Sequence, residues 1–159
     1  MALDKYVSGL PDGKKNSEEQ RAAVLNQLRE YTISTLSKIP FPAELKLKSG
    51  VNVNGRMIFY QKNLIACGNN GRSEKIPWNE LPINDYINIV LYYITIKEEA
   101  AAGEIIPESE VRTDCADLYF KLAVLCDWIN DYKRACEFIK KSEKMDKSIE
   151  NDIRKYILN

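Results

Sequence analysis

Residues 115–148 read CADLYFKLAVLCDWINDYKRACEFIKKSEKMDKS, two short amphipathic helices joined by a polar turn. Leu118, Leu122 and Leu125 recur at helical spacing, with Ala123 and Cys126 beside them. Thr113 or Asp114 is placed to cap the first helix by accepting from its exposed N–H groups. Asn130-Asp131 interrupts the pattern, because both side chains compete for local backbone groups and favour turns. The second helix resumes with Tyr132, Ala135, Cys136, Ile139 and Met145 on its apolar side. Lys133, Arg134, Lys140, Lys141 and Lys144 take most of the other side. Ala123 and Ala135 are small enough to let the two helices approach closely.

Over residues 113–147 this pair resembles one tetratricopeptide repeat, a helix–turn–helix unit of about 34 residues. In that resemblance Tyr119 is the large aromatic, Leu122 and Ala123 the leucine–small pair, and Tyr132 the aromatic opening the second helix. Ala135 is the defining small residue, Ile139 the next large one and Ser142 the second small one. Two positions depart from the pattern. Lys147 stands where the family has proline, and Cys126 replaces an aromatic. The resemblance implies a protein-binding hairpin. Its candidate partner-binding residues are Tyr119, Asp127, Lys133, Arg134 and Lys140. One repeat cannot bury its own apolar face. The stripe Ile149, Ile153, Tyr156 and Ile157 in a terminal helix, and the helix before Gly103, are expected to cover it.

The whole chain has 159 residues, 45% of them apolar and 29% charged, which is ordinary globular composition. Its 23 basic and 23 acidic side chains cancel, so no broad attraction to nucleic acid or anionic membrane is expected. No apolar run approaches the roughly 20 residues of a membrane span. The N-terminal stretch lacks a signal peptide's apolar core. The 4 cysteines show no CxxC spacing, and we read them as reduced, buried thiols of a cytoplasmic protein. Histidine is absent, which removes the commonest general base and metal ligand. We therefore expect no enzyme activity, no cofactor and no metal.

Residues 1–16 read as a flexible lead-in. Ser17 and Gln20 form a capping box for a helix to about Lys38, lined by Leu25, Leu28, Thr32, Leu36 and Ile39. Pro40 and Pro42 end it. Residues 44–78 then alternate as strands do. Leu45 and Leu47 are followed by a turn at Ser49-Gly50, and Val51 and Val53 continue the alternation. Asn54-Gly55 reads as a second turn or as a glycine bulge within one long bent strand, the bulge being preferred, and Met57–Tyr60 follow. Turns at Gln61–Asn63 and Gly68–Gly71 flank another apolar strand, and a last strand ends at Pro77. A strand, a glycine turn, a bent strand with a second glycine and a further strand resemble small Sm- or Tudor-like β-barrels over residues 45–76. That likeness implies a nucleic-acid module as the alternative function. Lys46, Lys48, Arg56, Lys62, Arg72 and Lys75 would contact phosphates, with Tyr60 stacking.

Trp78 and Leu81 are read as anchors between sheet and helix. Asn84 or Asp85 caps a helix to about Ala102 that is apolar nearly all round, and Gly103 is its C-cap. Residues 104–112 read as a charged linker. The carboxylates Glu98, Glu99 and Glu104, with Lys97, read as a solvated face. A third reading, an enzyme using carboxylates, requires a concave pocket with at least two convergent ionisable groups.

The expected fold is α+β. An N-terminal helix and a small antiparallel meander of about four strands fill residues 17–82. A helical region with the hairpin and a terminal helix fills 83–159, packed with the first part as one unit. The expected function is a non-catalytic protein–protein interaction or scaffold module, as part of a larger protein or complex.

Overall fold

The computed structural model describes residues 12–68 and 73–149. The helices are α1 (Asp12–Leu36), α2 (Ile83–Ala102), α3 (Glu108–Trp128) and α4 (Tyr132–Met145). The strands are β1 (Phe41–Lys46), β2 (Asn52–Tyr60), β3 (Asn63–Gly68) and β4 (Ser73–Ile76). Single 3₁₀ turns follow β4 at Trp78–Glu80 and α4 at Lys147–Ile149. The fold is α+β. By its internal contacts the chain forms two units, Glu30–Ile96 and Lys97–Asn159 with Met1–Arg29. Both boundaries fall inside helices, α1 and α2.

In the first unit the four strands pair in sequence order, each antiparallel to the next. Phe41, Ala43 and Leu45 are buried and alternate with exposed Pro42, Glu44 and Lys46. β1 therefore begins earlier than the prolines suggest. It is an edge strand, where a residue without an N–H is tolerated. Its partner β2 runs unbroken through Gly55, whose φ of 145° suits glycine. Ala43 and Gly68 stand opposite Gly55, and the register never slips, so the expected bulge is absent. The sheet is open and not a barrel. β1 and β4 remain its two edges, because four short strands paired only with their neighbours leave nothing to join the ends.

Gln61 and Lys62 close the β2–β3 hairpin with φ of 47° and 66°. This is the positive-φ pattern of a two-residue turn matched to strand twist. The expected Gly68–Gly71 loop lies for the most part in residues 69–72, outside the described residues. One face of the sheet carries Val53, Met57, Leu64, Ala66 and Ile76 into a core shared with Leu36, Ile89 and Tyr93. Trp78 packs edge-on against both Phe59 and Tyr86 at about 6 Å, so it does anchor sheet to helix within this unit. The Tyr93 hydroxyl donates to the Ile39 carbonyl at 2.7 Å. Burial, with Tyr92 and Tyr31 nearby, pushes its ionisation well above the ordinary range.

In the second unit α3 is the most buried element, enclosed almost continuously from Cys115 to Cys126. It starts at Glu108 behind Pro107, so residues 108–112 are helix and not linker, and Thr113 and Asp114 cap nothing. The Thr113 hydroxyl donates to the Ser109 carbonyl, and Asp114 pairs with Lys97 at 2.6 Å. α1 likewise starts at Asp12, which leaves Ser17 and Gln20 inside the helix. The rest of the expected lead-in, residues 1–11, lies outside the described residues. Val24 of α1 packs with Ala116, Phe120, Val124 and Ile149, and Arg21 pairs with Asp127. The hairpin is thus covered by α1, which the sequence pattern did not indicate. Residues 150–159 of the expected terminal helix lie outside the described residues.

α4 buries Ala135, Phe138 and Ser142. Cys136, expected on the apolar side, is exposed with Cys67, while Cys115 and Cys126 are buried. One residue is a 100° step on a helix, so burying Ala135 turns Cys136 away. Asp131 caps α4 by accepting from the Arg134 N–H at 3.1 Å. No helix among the described residues is long and apolar enough to cross a membrane.

Candidate functional site: a groove among three helices

Ala100, Ala101 and Ala102 end α2, and the small side chains of Ala101 and Ala102 leave space beside α3. Along one face of α3, Glu108, Val111, Arg112, Cys115 and Tyr119 recur every three or four residues. With Glu98, Ala101 and Ala102 from α2 and Lys141, Lys144 and Met145 from α4, they line a groove of about 540 Å³. Its floor is apolar and its walls are charged. Glu98 stands on the α2 side, and Lys141 and Lys144 one turn apart on the α4 side. At 79% exposure, Ile105 in the α2–α3 connection is the most exposed large apolar side chain among the described residues.

The walls are held by specific contacts. Arg112 donates from Nε to the Met145 carbonyl at 3.4 Å and from a terminal nitrogen to the Lys144 carbonyl at 3.3 Å. It thereby occupies acceptors that the end of α4 leaves open. Its other nitrogen lies 3.7 Å from Glu108. Tyr119 stacks on Phe138 at 6.0 Å, and the Lys141 ammonium lies 5.3 Å from the Tyr119 ring centre. Burial, and secondarily Glu98, push the Cys115 thiol up to about 11, so it is neutral and a poor nucleophile. The same two causes raise Tyr119.

The candidate partner-binding residues do not converge. Tyr119 lines the groove. Asp127, two helical turns further on, is taken by Arg21. Arg134 is held by Asp131, while Lys133 and Lys140 are exposed away from the groove lining. Of the basic groups that line the groove, Lys141 and Lys144 were visible in the sequence as part of a basic helix face. The alanine run before Gly103 was the unread signal for the groove itself.

On the sheet, cross-strand pairing puts Lys46, Arg56, Tyr60 and Lys75 on the face opposite the core. Half-buried Ile58 and Ile65 lie among them, opposite each other. Glu44 shares this face. Lys48 instead donates to the Asn79 carbonyl at 2.8 Å, and Lys62 sits in the hairpin turn. Arg72 lies outside the described residues. A second hollow, about 390 Å³, lies along β1 over Gly55 and is lined by Glu44, Asn54, Asp85 and Asn88 among others. Burial raises the Asp85 carboxyl above its ordinary value. Among the described residues no three Cys, Asp or Glu side chains are grouped to hold a metal. Compared with protein-family models, with curated proteins and with solved structures, the chain gives no match.

Proposed function

We propose that this chain is a non-catalytic protein-interaction module, and that a partner docks in the groove of the helical unit. The observation that carries this reading is the combination of an apolar, alanine-floored trough with charged walls. Protein-docking sites share that anatomy, an apolar centre inside a polar rim. Leu122, Ala123 and Ala135 are all buried, which supports a tetratricopeptide-like hairpin as the scaffold. Glu98 and Glu108 give the groove two carboxylates, but its one thiol is held neutral, and Arg112 and Lys141 are engaged in structural contacts. This favours binding over catalysis. The buried unpaired thiols favour a reducing, cytoplasmic setting.

The test is affinity purification of the tagged chain beside its Ala102→Trp variant, with a nuclease-treated parallel. Ala102 is exposed, so the indole fills the groove without disturbing the core. The reading expects a partner that survives nuclease and is lost with the variant. A partner set unchanged by Ala102→Trp overturns it.

A second reading, nucleic-acid binding on the sheet, has its own observation. Lys46, Arg56 and Lys75 share a face with Tyr60, with Lys75 nearest the ring in register and Lys46 at the far end of β2. It predicts a low-salt mobility shift of single-stranded oligonucleotides that the double variant Arg56→Glu/Lys75→Glu abolishes. The absence of a shift with the unaltered chain removes it.

A further inference from the structure

We infer that the occupant of the helical groove is itself an amphipathic helix, with an acidic edge facing α4 and a basic edge facing α2. The inference rests on the docking reading above and identifies the partner's chemistry.

The backbone decides between a helix and an extended segment. Every groove-lining residue belongs to a helix, α2, α3 or α4. Helix-interior N–H and C=O groups are already paired along the helix axis. The carbonyls of Lys144 and Met145, which could have accepted from a visitor, are taken by Arg112. An extended peptide needs main-chain partners from its host, as strand addition supplies at a sheet edge. Here it finds them only at the two helix ends in the lining, Ala102 and Glu108, too few to pair a segment three turns long, and its other desolvated amides would stay unpaired. A helix brings its own hydrogen bonds and needs only a trough for its apolar stripe. Ala101, Ala102 and Cys115 are small, which lets a helix axis come close. The lining runs from Glu108 to Tyr119, about 16 Å at the helical rise, or three turns.

Charge sets the orientation. Among the described residues, neither Lys141 nor Lys144 lies within ion-pairing distance of a carboxylate. Glu98 on the opposite wall likewise has no cation partner there. Glu108 is matched by Arg112. The unmet charges are therefore two positive on the α4 wall and one negative on the α2 wall. A helix lying in the trough meets them with Asp or Glu on one flank and Lys or Arg on the other. Reversing the two flanks places like charges together.

The experiment is selection from two displayed peptide libraries of sixteen residues on the immobilised full chain. One has a helix-favouring alanine–leucine framework with randomised flanks, and the other is randomised with a central proline. The expected winners come from the helical library, with leucine-like residues at i, i+4 and i+7 and acid on one flank. Their affinity falls at least tenfold on Lys141→Glu/Lys144→Glu. Winners with lysine on that flank regain affinity for the same double variant. Winners from the proline library, or helical winners indifferent to the charge reversal, overturn the inference while leaving the groove as a docking site. Winners that bind Ala102→Trp as tightly as the unaltered chain, or no enrichment from either library, overturn the docking reading as well. Circular dichroism of each variant confirms that it folds.

Discussion

The Ser142 hydroxyl donates a 2.7 Å hydrogen bond to the Ala116 carbonyl, twenty-six positions away and fully inside the α3–α4 contact. A small residue is required there for packing, and its one polar group is satisfied by the facing helix. Position 142 therefore reports on the hairpin directly. Ser142→Ala keeps the size and loses the bond, and should cost about 1 kcal/mol in chemical denaturation. Ser142→Leu should cost more, about 1–3 kcal/mol, because it overfills a closed contact. Equal stability of all three chains would show that the contact is looser than this.

Two helices end with a left-handed residue that is not glycine. At the end of α2, Glu104 has φ 57°, its N–H bonds the Ala101 carbonyl, and the Ile105 N–H bonds the Ala100 carbonyl. The preceding Gly103 does not need its freedom, and an added Cβ would meet only ordinary contacts of 3.5 Å or more. Glu104→Gly should therefore raise stability by about 1 kcal/mol. Gly103→Ala should add roughly 0.4–1 kcal/mol. Asn130, with φ 61°, plays the same part at the end of α3. Asn130→Val there should cost about 1–2 kcal/mol. Thermal unfolding of the three variants checks the ranking.

The helix cap at Asp131 makes the hairpin sensitive to acid. The Arg134 backbone N–H, then its side chain, hold the Asp131 carboxyl below the usual range. A carboxyl depressed in the folded state contributes stability that is complete above its unfolded value, about pH 3.9, and is lost as pH falls through the folded value. Asp131→Asn retains a good cap but cannot titrate. The stability gap between the two chains should be larger at pH 7 than at pH 3. A gap that does not change with pH would mean that the charge contributes nothing.

Pro42 sits exposed at the second position of an edge strand. An edge offers unpaired groups to any passing strand, and proline withholds one of them. Pro42→Val should restore a continuous edge and produce concentration-dependent self-association. Sedimentation at increasing concentration measures it, and a monomer throughout would mean that Glu44 and Lys46 protect the edge unaided.

Patterning in the sequence was enough to place α2, the α3–α4 hairpin and most of the sheet: a period of two in the strands, of 3.6 in the hairpin, and in α2 a long run apolar nearly all round. The misses have physical causes. Pro42 was read as ending a helix and residues 104–112 as a linker, yet Pro42 lies on a sheet edge and Pro107 stands just before a helix, both places where proline fits. Phe138 was passed over in favour of Cys136 as a core residue, though the helical step from Ala135 decides between them. The groove was illegible because it is made by what is small. Ala101 and Ala102 acquire meaning only when α3 and α4 lie beside them. The cover from Val24 and Arg21 was hidden by more than ninety positions of intervening chain.

The sheet has a kinetic consequence. Each strand pairs only with its neighbour in sequence, across residues 47–51, 61–62 and 69–72. Every ladder can therefore form by closing a short loop, without a search by distant segments. Low average separation between contacting residues speeds folding. The sheet should form early and quickly, by zipping outward from the Gln61–Lys62 turn. The contacts that join α1 to α3, made by Val24 and Arg21 with residues about a hundred positions later, must wait until α3 has been synthesised.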